Sequence, residues 1–295
     1  MKRAYTVLDP SAALAPRGGC ALGVMIKAPR AGASKTRLVP PLTHEEAAAL
    51  SVCFLRDTAA NIAAACDAAG GVGAAAGVAV YTPAGAEEAF DGLLPEGFSL
   101  LAQRGEGFGE RLFNAADDLL RLGHDSLCLI DSDSPTLPTR ALAAAVAELS
   151  RPGDRVVLGP ADDGGYYLIG VKRAHRQLFD RIDWSTERVL RQTLDRACEI
   201  KLSAAVLPAW YDVDDAATLA RLCEELFGGR DGGGACSPHG AYLKGYEAAH
   251  TRAHLAGIIE REGRARVWPA GASPEPTAGG EGSAGDGAQT AEASR

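Results

Sequence analysis

Four short segments concentrate the residues able to do chemistry. The first, Lys27-Ala-Pro-Arg-Ala-Gly-Ala-Ser-Lys-Thr-Arg-Leu38, sets Lys27, Arg30, Lys35 and Arg37 among small residues just after an apolar run. Small residues, Gly32 among them, let backbone N–H groups approach an anion closely. Lysine adds a mobile point charge and arginine a fork that matches phosphate oxygens. The loop is neither G-x-x-x-x-G-K-[ST] nor G-x-G-x-x-G, so its phosphate grip would be of another kind. A solvated basic loop is the bland alternative.

Acids make up the second and third segments. Asp131-Ser-Asp133-Ser-Pro135 follows a buried apolar run, and Trp210-Tyr-Asp212-Val-Asp214-Asp215 precedes a helical pattern. Carboxylates at i and i+2 on extended chain point to one side. Such hard oxygen ligands suit Mg²⁺ or Mn²⁺, which would neutralise phosphate oxygens. Asp133, Asp212 and Asp214 are the candidate metal ligands, with Asp131 as a further acid. The competing structural readings are an Asx turn closed by Pro135 and helix capping by Asp214 or Asp215. In the fourth segment, Gly159-Pro-Ala-Asp162-Asp163-Gly164-Gly165-Tyr166-Tyr167, two acids meet two glycines in a tight turn. It reads as a ligand-facing edge or as a plain hairpin turn. Tyr166, Tyr167 and Trp184 can stack on a base or sugar, or simply pack in the core.

The elements that must position these segments alternate. Strand patterns at 19–26, 77–82, 99–103, 126–130, 155–158, 166–171 and 205–207 are interleaved with helical patterns after Thr43 and at 109–123, 139–149, 186–197 and 216–227. This alternation predicts an α/β fold: a Rossmann-like, mostly parallel sheet covered by helices on both faces. Ligands then sit beyond the carboxyl ends of the strands. Residues 1–18 read as an irregular leader and 19–227 as the catalytic domain. Residues 228–268 read as a Gly-rich linker with a helical appendage, and 269–295 as a disordered tail rich in Gly, Ala, Ser, Pro and Glu.

Bulk properties narrow the partners. The net charge is -8, which repels nucleic acid and anionic membranes, so any phosphate must be held locally. The seven cysteines are widely spaced without C-x-x-C, which argues against a disulfide framework and a zinc site. No secretory h-region or membrane span stands out, so the expected setting is the cytoplasm. The pair His250 and His254, at i and i+4 in the appendage, lacks an evident third ligand.

Taken together, Lys27-Ala-Pro, Gly32, Lys35-Thr-Arg-Leu38, Asp131-Ser-Asp133-Ser-Pro-Thr-Leu137, Gly159 to Gly170, Trp184-Ser-Thr186 and Trp210 to Asp214 resemble the bacterial DUF2064 family, described as glycosyltransferases of the GT-A fold. The layout is also similar to nucleotidyltransferases such as 2-phospholactate and molybdopterin guanylyltransferases. The resemblance implies Lys35 and Arg37 as the phosphate grip, Asp133 as the central metal ligand, and Asp212 and Asp214 as late metal acids. It implies a nucleotide sugar or a nucleoside triphosphate as one substrate and a small molecule as acceptor. In glycosyl transfer, Asp163 would be the acceptor's base and Asp162, Gly164, Gly165 and Trp184 would shape its turn. In nucleotidyl transfer, Lys35 and Arg37 would grip the triphosphate while pyrophosphate leaves. A nucleotide-binding module without turnover is the third reading.

Overall fold

The computed structural model describes residues 5–12, 17–29, 32, 34–69, 74–228, 235–236 and 242–269. Arg30 and the tail beyond Pro269 lie outside them. Eight strands make one sheet: β1 (Thr6–Val7), β2 (Cys20–Lys27), β3 (Ala75–Thr82), β4 (Ser99–Ala102), β5 (Ser126–Ile130), β6 (Arg155–Pro160), β7 (Tyr166–Val171) and β8 (Ser203–Val206). Their order is β1-β4-β3-β2-β5-β7-β6-β8. All neighbours pair in parallel except β7, which runs antiparallel to both β5 and β6. The central strands read as continuous apolar runs because both faces are covered. Leu22 and Val24 of β2 pack toward one face and Ala21 toward the other, and none of them is exposed.

Helix α1 (His44–Ala69), α3 (Thr139–Ser150) and α5 (Ala216–Phe227) feed one core, with Leu50, Phe54, Ile62, Leu142 and Leu222 fully enclosed. Helix α2 (Phe108–Arg121) and α4 (Val189–Glu199) cover the other face through Leu112, Leu119 and Ala197. Truncating a side chain such as Phe54 to alanine would cost about 3–5 kcal/mol. Helix α1 is long and apolar enough to cross a membrane by length and composition. Here it packs on the sheet and on α3. Its start carries a reciprocal cap: Thr43 Oγ1 accepts from Glu46 N and Glu46 Oε2 accepts from Thr43 N.

Several boundaries differ from the sequence pattern. Thr6 and Val7, read as part of an irregular leader, pair with Ser99 and Leu100. The helix expected from Thr186 starts at Val189, because Ser185 adopts φ 64 and Thr186 Oγ1 bonds back to Asp183 O. The appendage helix runs Ala249–Glu262 (α6) and is preceded by a two-residue strand, Tyr242–Leu243, that pairs with Ala235–Cys236. Leu255 and Ile258 of α6 and the following Val267 join the core beside α1. Asp57 of α1, almost wholly buried, accepts from His250 N (3.0 Å) and Thr251 N (2.7 Å) and so caps α6 from a neighbouring helix. Arg266 grips Glu46 with two bonds, at 3.2 and 2.6 Å. Cys20, Cys53, Cys66, Cys128, Cys198 and Cys223 are free thiols.

Candidate active site

The carboxyl ends of β2, β3, β4 and β5 open into a cleft of about 780 Å³, the size range of nucleotide-sized ligands. Lys27, Lys35, Arg37, Asp133 and Asp214 line it, drawn from three of the four segments singled out in the sequence. Lys35 stands at its centre. Its backbone is left-handed (φ 51), an uncommon state for lysine, and its side chain is only 8% exposed. The ammonium reaches Asp133 Oδ1 at 2.8 Å, Asp214 Oδ1 at 2.9 Å and Val213 O at 2.8 Å. Three acceptors saturate its three N–H donors. Burial works against this charge, but Asp133 and Asp214 outweigh it and hold the ammonium above its ordinary pKa.

Asp133 and Asp214 therefore face one cleft with Lys35 between them. The two loops are also tied by backbone, Val213 N donating to Asp133 O at 2.9 Å. Arg37 donates to the other oxygen of Asp214. The capping role belongs to Asp215: its carboxylate accepts from Thr218 N at 2.8 Å in a reciprocal capping box, and that bond lowers its pKa. Asp214 is thus left for the cleft. Asp131 makes the expected Asx turn, accepting from Asp133 N (3.1 Å) and Ser134 Oγ (3.2 Å). Burial, and next Asp133, push its carboxyl well above the usual range.

Asp212 is half-buried, and burial, then Asp163 and Asp214, raise its pKa to about 6. Asp163 is exposed, and its Oδ1 accepts from Gly165 N at 2.8 Å. The turn between them needs Gly164: φ is +88, and a Cβ there would sit 2.2 Å from Glu187 O. Gly164 O in turn accepts from Leu190 N, docking the turn on the start of α4. Asp162 points away to Arg221 at 2.7 Å. Among the described residues, no three His, Cys, Asp or Glu side chains converge at metal-holding distance. The acids feel one another, and Lys35 stands between two of them.

Sequence reasoning missed three residues here. Phe108 is 45% exposed at the cleft, edge-on to Trp184, which in turn meets Tyr166 edge-on. Trp184 thus buttresses an exposed ring and does not itself line the cleft. Gly109 permits this, since a Cβ there would lie 2.4 Å from Trp184 Nε1. Gln103 donates its amide to Ile26 O (3.2 Å) and Val80 O (2.7 Å). Both partners are carbonyls, so Oε1 is left as a fixed acceptor on the cleft wall. Arg111, on the first turn of α2, lines the same wall. The available signal was Gly105 and Gly107 between a strand and a helix, where such sheets bind ligands.

Comparison with known proteins agrees with this architecture. The DUF2064 family model, described as an uncharacterized protein conserved in bacteria, matches residues 65–186. That stretch holds Asp131, Asp133, the 159–165 turn and Trp184, while the Lys35 loop and Asp212–Asp214 flank it. Among solved structures, a nucleotide-diphospho-sugar transferase candidate from Desulfovibrio desulfuricans G20 is 27% identical at a TM-score of 0.67, over 83% of this chain and 97% of that one. A cytidylyltransferase from Leptospira borgpetersenii serovar Hardjo-bovis (strain JB197) is 11% identical at 0.43, over 86% and 97%. A CMP:2-keto-3-deoxy-manno-octonic acid synthetase complexed with CTP is 12% identical at 0.41, over 69% and 96%. These two share too little with the chain to bear on its chemistry. The curated proteins contain no match.

Proposed function

We propose that this chain is a metal-dependent glycosyltransferase that takes a nucleotide sugar as donor and a small molecule as acceptor. The observation that carries the reading is the Asp133–Lys35–Asp214 bridge at the centre of a nucleotide-sized cleft. The 27% identity to a nucleotide-diphospho-sugar transferase candidate supports it. Nucleotidyl transfer drew its support from Lys35 and Arg37 as a triphosphate grip. Both cations are committed to Asp133 and Asp214, which favours glycosyl transfer.

Asp133, Asp212 and Asp214 would hold Mg²⁺ or Mn²⁺. Their hard oxygens suit such an ion, and its charge would offset the burial and the neighbouring Asp163 and Asp214 that raise the Asp212 pKa. Once bound, the ion would stabilise charge on the departing nucleoside diphosphate. The chain's own residues do the rest. Lys35 ties Asp133 to Asp214, and Asp212 would have to close on them to complete the ligand set, since no three acids converge among the described residues. Phe108 offers an aromatic face, and Gln103 Oε1 accepts from a ligand N–H. Asp163, whose charge acts on Asp212, is the carboxylate that would take the acceptor's hydroxyl proton.

The test is donor turnover with Mn²⁺ across a panel of nucleotide sugars, read as nucleoside diphosphate release. One nucleotide sugar should be consumed, and Asp133→Asn or Asp214→Asn should reduce the rate by about 100-fold or more. Pyrophosphate release from a nucleoside triphosphate, with nucleotide sugars inert, would replace this reading with nucleotidyl transfer. Binding without either product would leave a nucleotide-binding module.

A further inference from the structure

Four cations line the described wall of the cleft: Lys27, Lys35, Arg37 and Arg111. Two are engaged by the protein itself. Lys35 has all three donors filled, and Arg37 is bound to Asp214. The other two have no hydrogen-bond or ion-pair partner among the described residues. Arg111 is the more telling of them. It is half-buried, and its Nε is shut off from solvent with no acceptor. That N–H forfeits hydration without recovering it from the protein, while the half-buried side chain faces the cleft, where a ligand oxygen can supply the acceptor. Its fork matches two oxygens of a phosphate.

We propose that Arg111, assisted by Lys27, forms the phosphate-binding subsite of this cleft, and that Lys35 and Arg37 serve the carboxylates instead. The helix frame suits this task. Gly107 starts α2 with no side-chain cap, so the first-turn N–H groups and the positive end of the helix lie beside Arg111. Phe108, three residues earlier, shares that face of the helix and also lines the cleft. The ligand is a phosphate-bearing molecule whose apolar or planar part can lie on Phe108. The phosphate comes either from the donor nucleotide or from a phosphorylated acceptor. This assignment refines the proposed transferase reading and rests on it only for the identity of the ligand.

Calorimetric titration of the full chain with pyrophosphate, without divalent ions and at low salt, tests the subsite directly. Arg111→Gln should weaken binding about tenfold or more, with Lys27→Gln weaker in effect and Arg37→Gln weaker still. Arg111→Lys keeps the charge and the stem but loses the fork. Reduced affinity in this variant at an unchanged melting temperature carries the conclusion even if Arg111→Gln folds poorly. Unchanged affinity in both Arg111 variants, a loss no greater than that of Arg37→Gln, or no pyrophosphate binding by the wild type overturns the proposal. Glycerol 3-phosphate then separates the sources. Arg111-dependent binding of glycerol 3-phosphate that pyrophosphate displaces assigns the subsite to a phosphorylated acceptor, whereas binding of pyrophosphate alone assigns it to the nucleotide. Arg111-dependent pyrophosphate binding without nucleotide-sugar turnover keeps the subsite and removes the proposed reaction. Turnover by a wild-type chain that ignores free pyrophosphate does the opposite.

Discussion

Lys35 is the residue on which the cleft turns, and its burial makes its removal costly in two ways. Lys35→Met keeps the stem and deletes the charge, leaving Asp133 and Asp214 facing each other without a counterion. Breaking a buried pair typically costs about 3–5 kcal/mol. Because Asp133 stays open to solvent, about 2 kcal/mol is expected here, measured by denaturant unfolding. Activity should fall more steeply than stability, since the spacing of the two acids goes with the lysine. Asp212 gives a second expectation. Because Asp212 must be ionised to hold the ion, Mn²⁺ affinity should rise with pH through about 6 and level above. Affinity that is flat from pH 5 to 8 by calorimetric titration would remove Asp212 from the metal site. The acids themselves were legible as D-x-D pairs after apolar runs. That Lys35 bonds to both of them was not legible, because saturation of an ammonium depends on contacts 178 and 179 residues away.

At the scale of elements, the alternation of strand and helix patterns gave the sheet and its helices to within a few residues. The antiparallel insertion of β7 between β5 and β6 was not visible, since strand periodicity carries no direction. For Trp184 the sequence leaves stacking on a ligand and core packing open; in the fold it supports Phe108, whose position in the first turn of α2 hid it inside a helical pattern. The 159–165 turn was seen for its glycines, and the reason for Gly164 emerges from its docking on Glu187. Gly164→Ala must both enter the left-handed region and displace the 187–190 backbone, costing upward of about 1–3 kcal/mol. Its effect should appear as lowered kcat with donor affinity nearly kept, because Lys35, Gln103 and Arg111 stand on other elements. Equal losses in donor affinity and kcat would mean that the turn also shapes the nucleotide site.

For the molecule as a whole, the C-terminal helix α6 is fastened to α1 by Asp57 and by the Glu46–Arg266 pair. The sequence suggested a helix at that place but could not name its mooring, since Asp57 sits unremarkably inside the α1 pattern. Asp57→Ala should release the start of α6 at a cost of about 1–2 kcal/mol, as for loss of a helix cap. Limited proteolysis between 244 and 268 should quicken while the sheet resists. Uniform acceleration across the chain would show that the fastening supports the entire fold.

The two-residue strand β1 has a consequence for how copies of this chain behave together. By pairing with Ser99 and Leu100, and through Leu8 N to Leu100 O at 2.7 Å, it occupies the outer rim of β4. Without it, that rim would present a row of unsatisfied amides and carbonyls, a template on which a second chain could crystallise its own strand. Thr6 and Val7 thus act as a selvedge, finishing the fabric of the sheet so that it does not unravel into its neighbours.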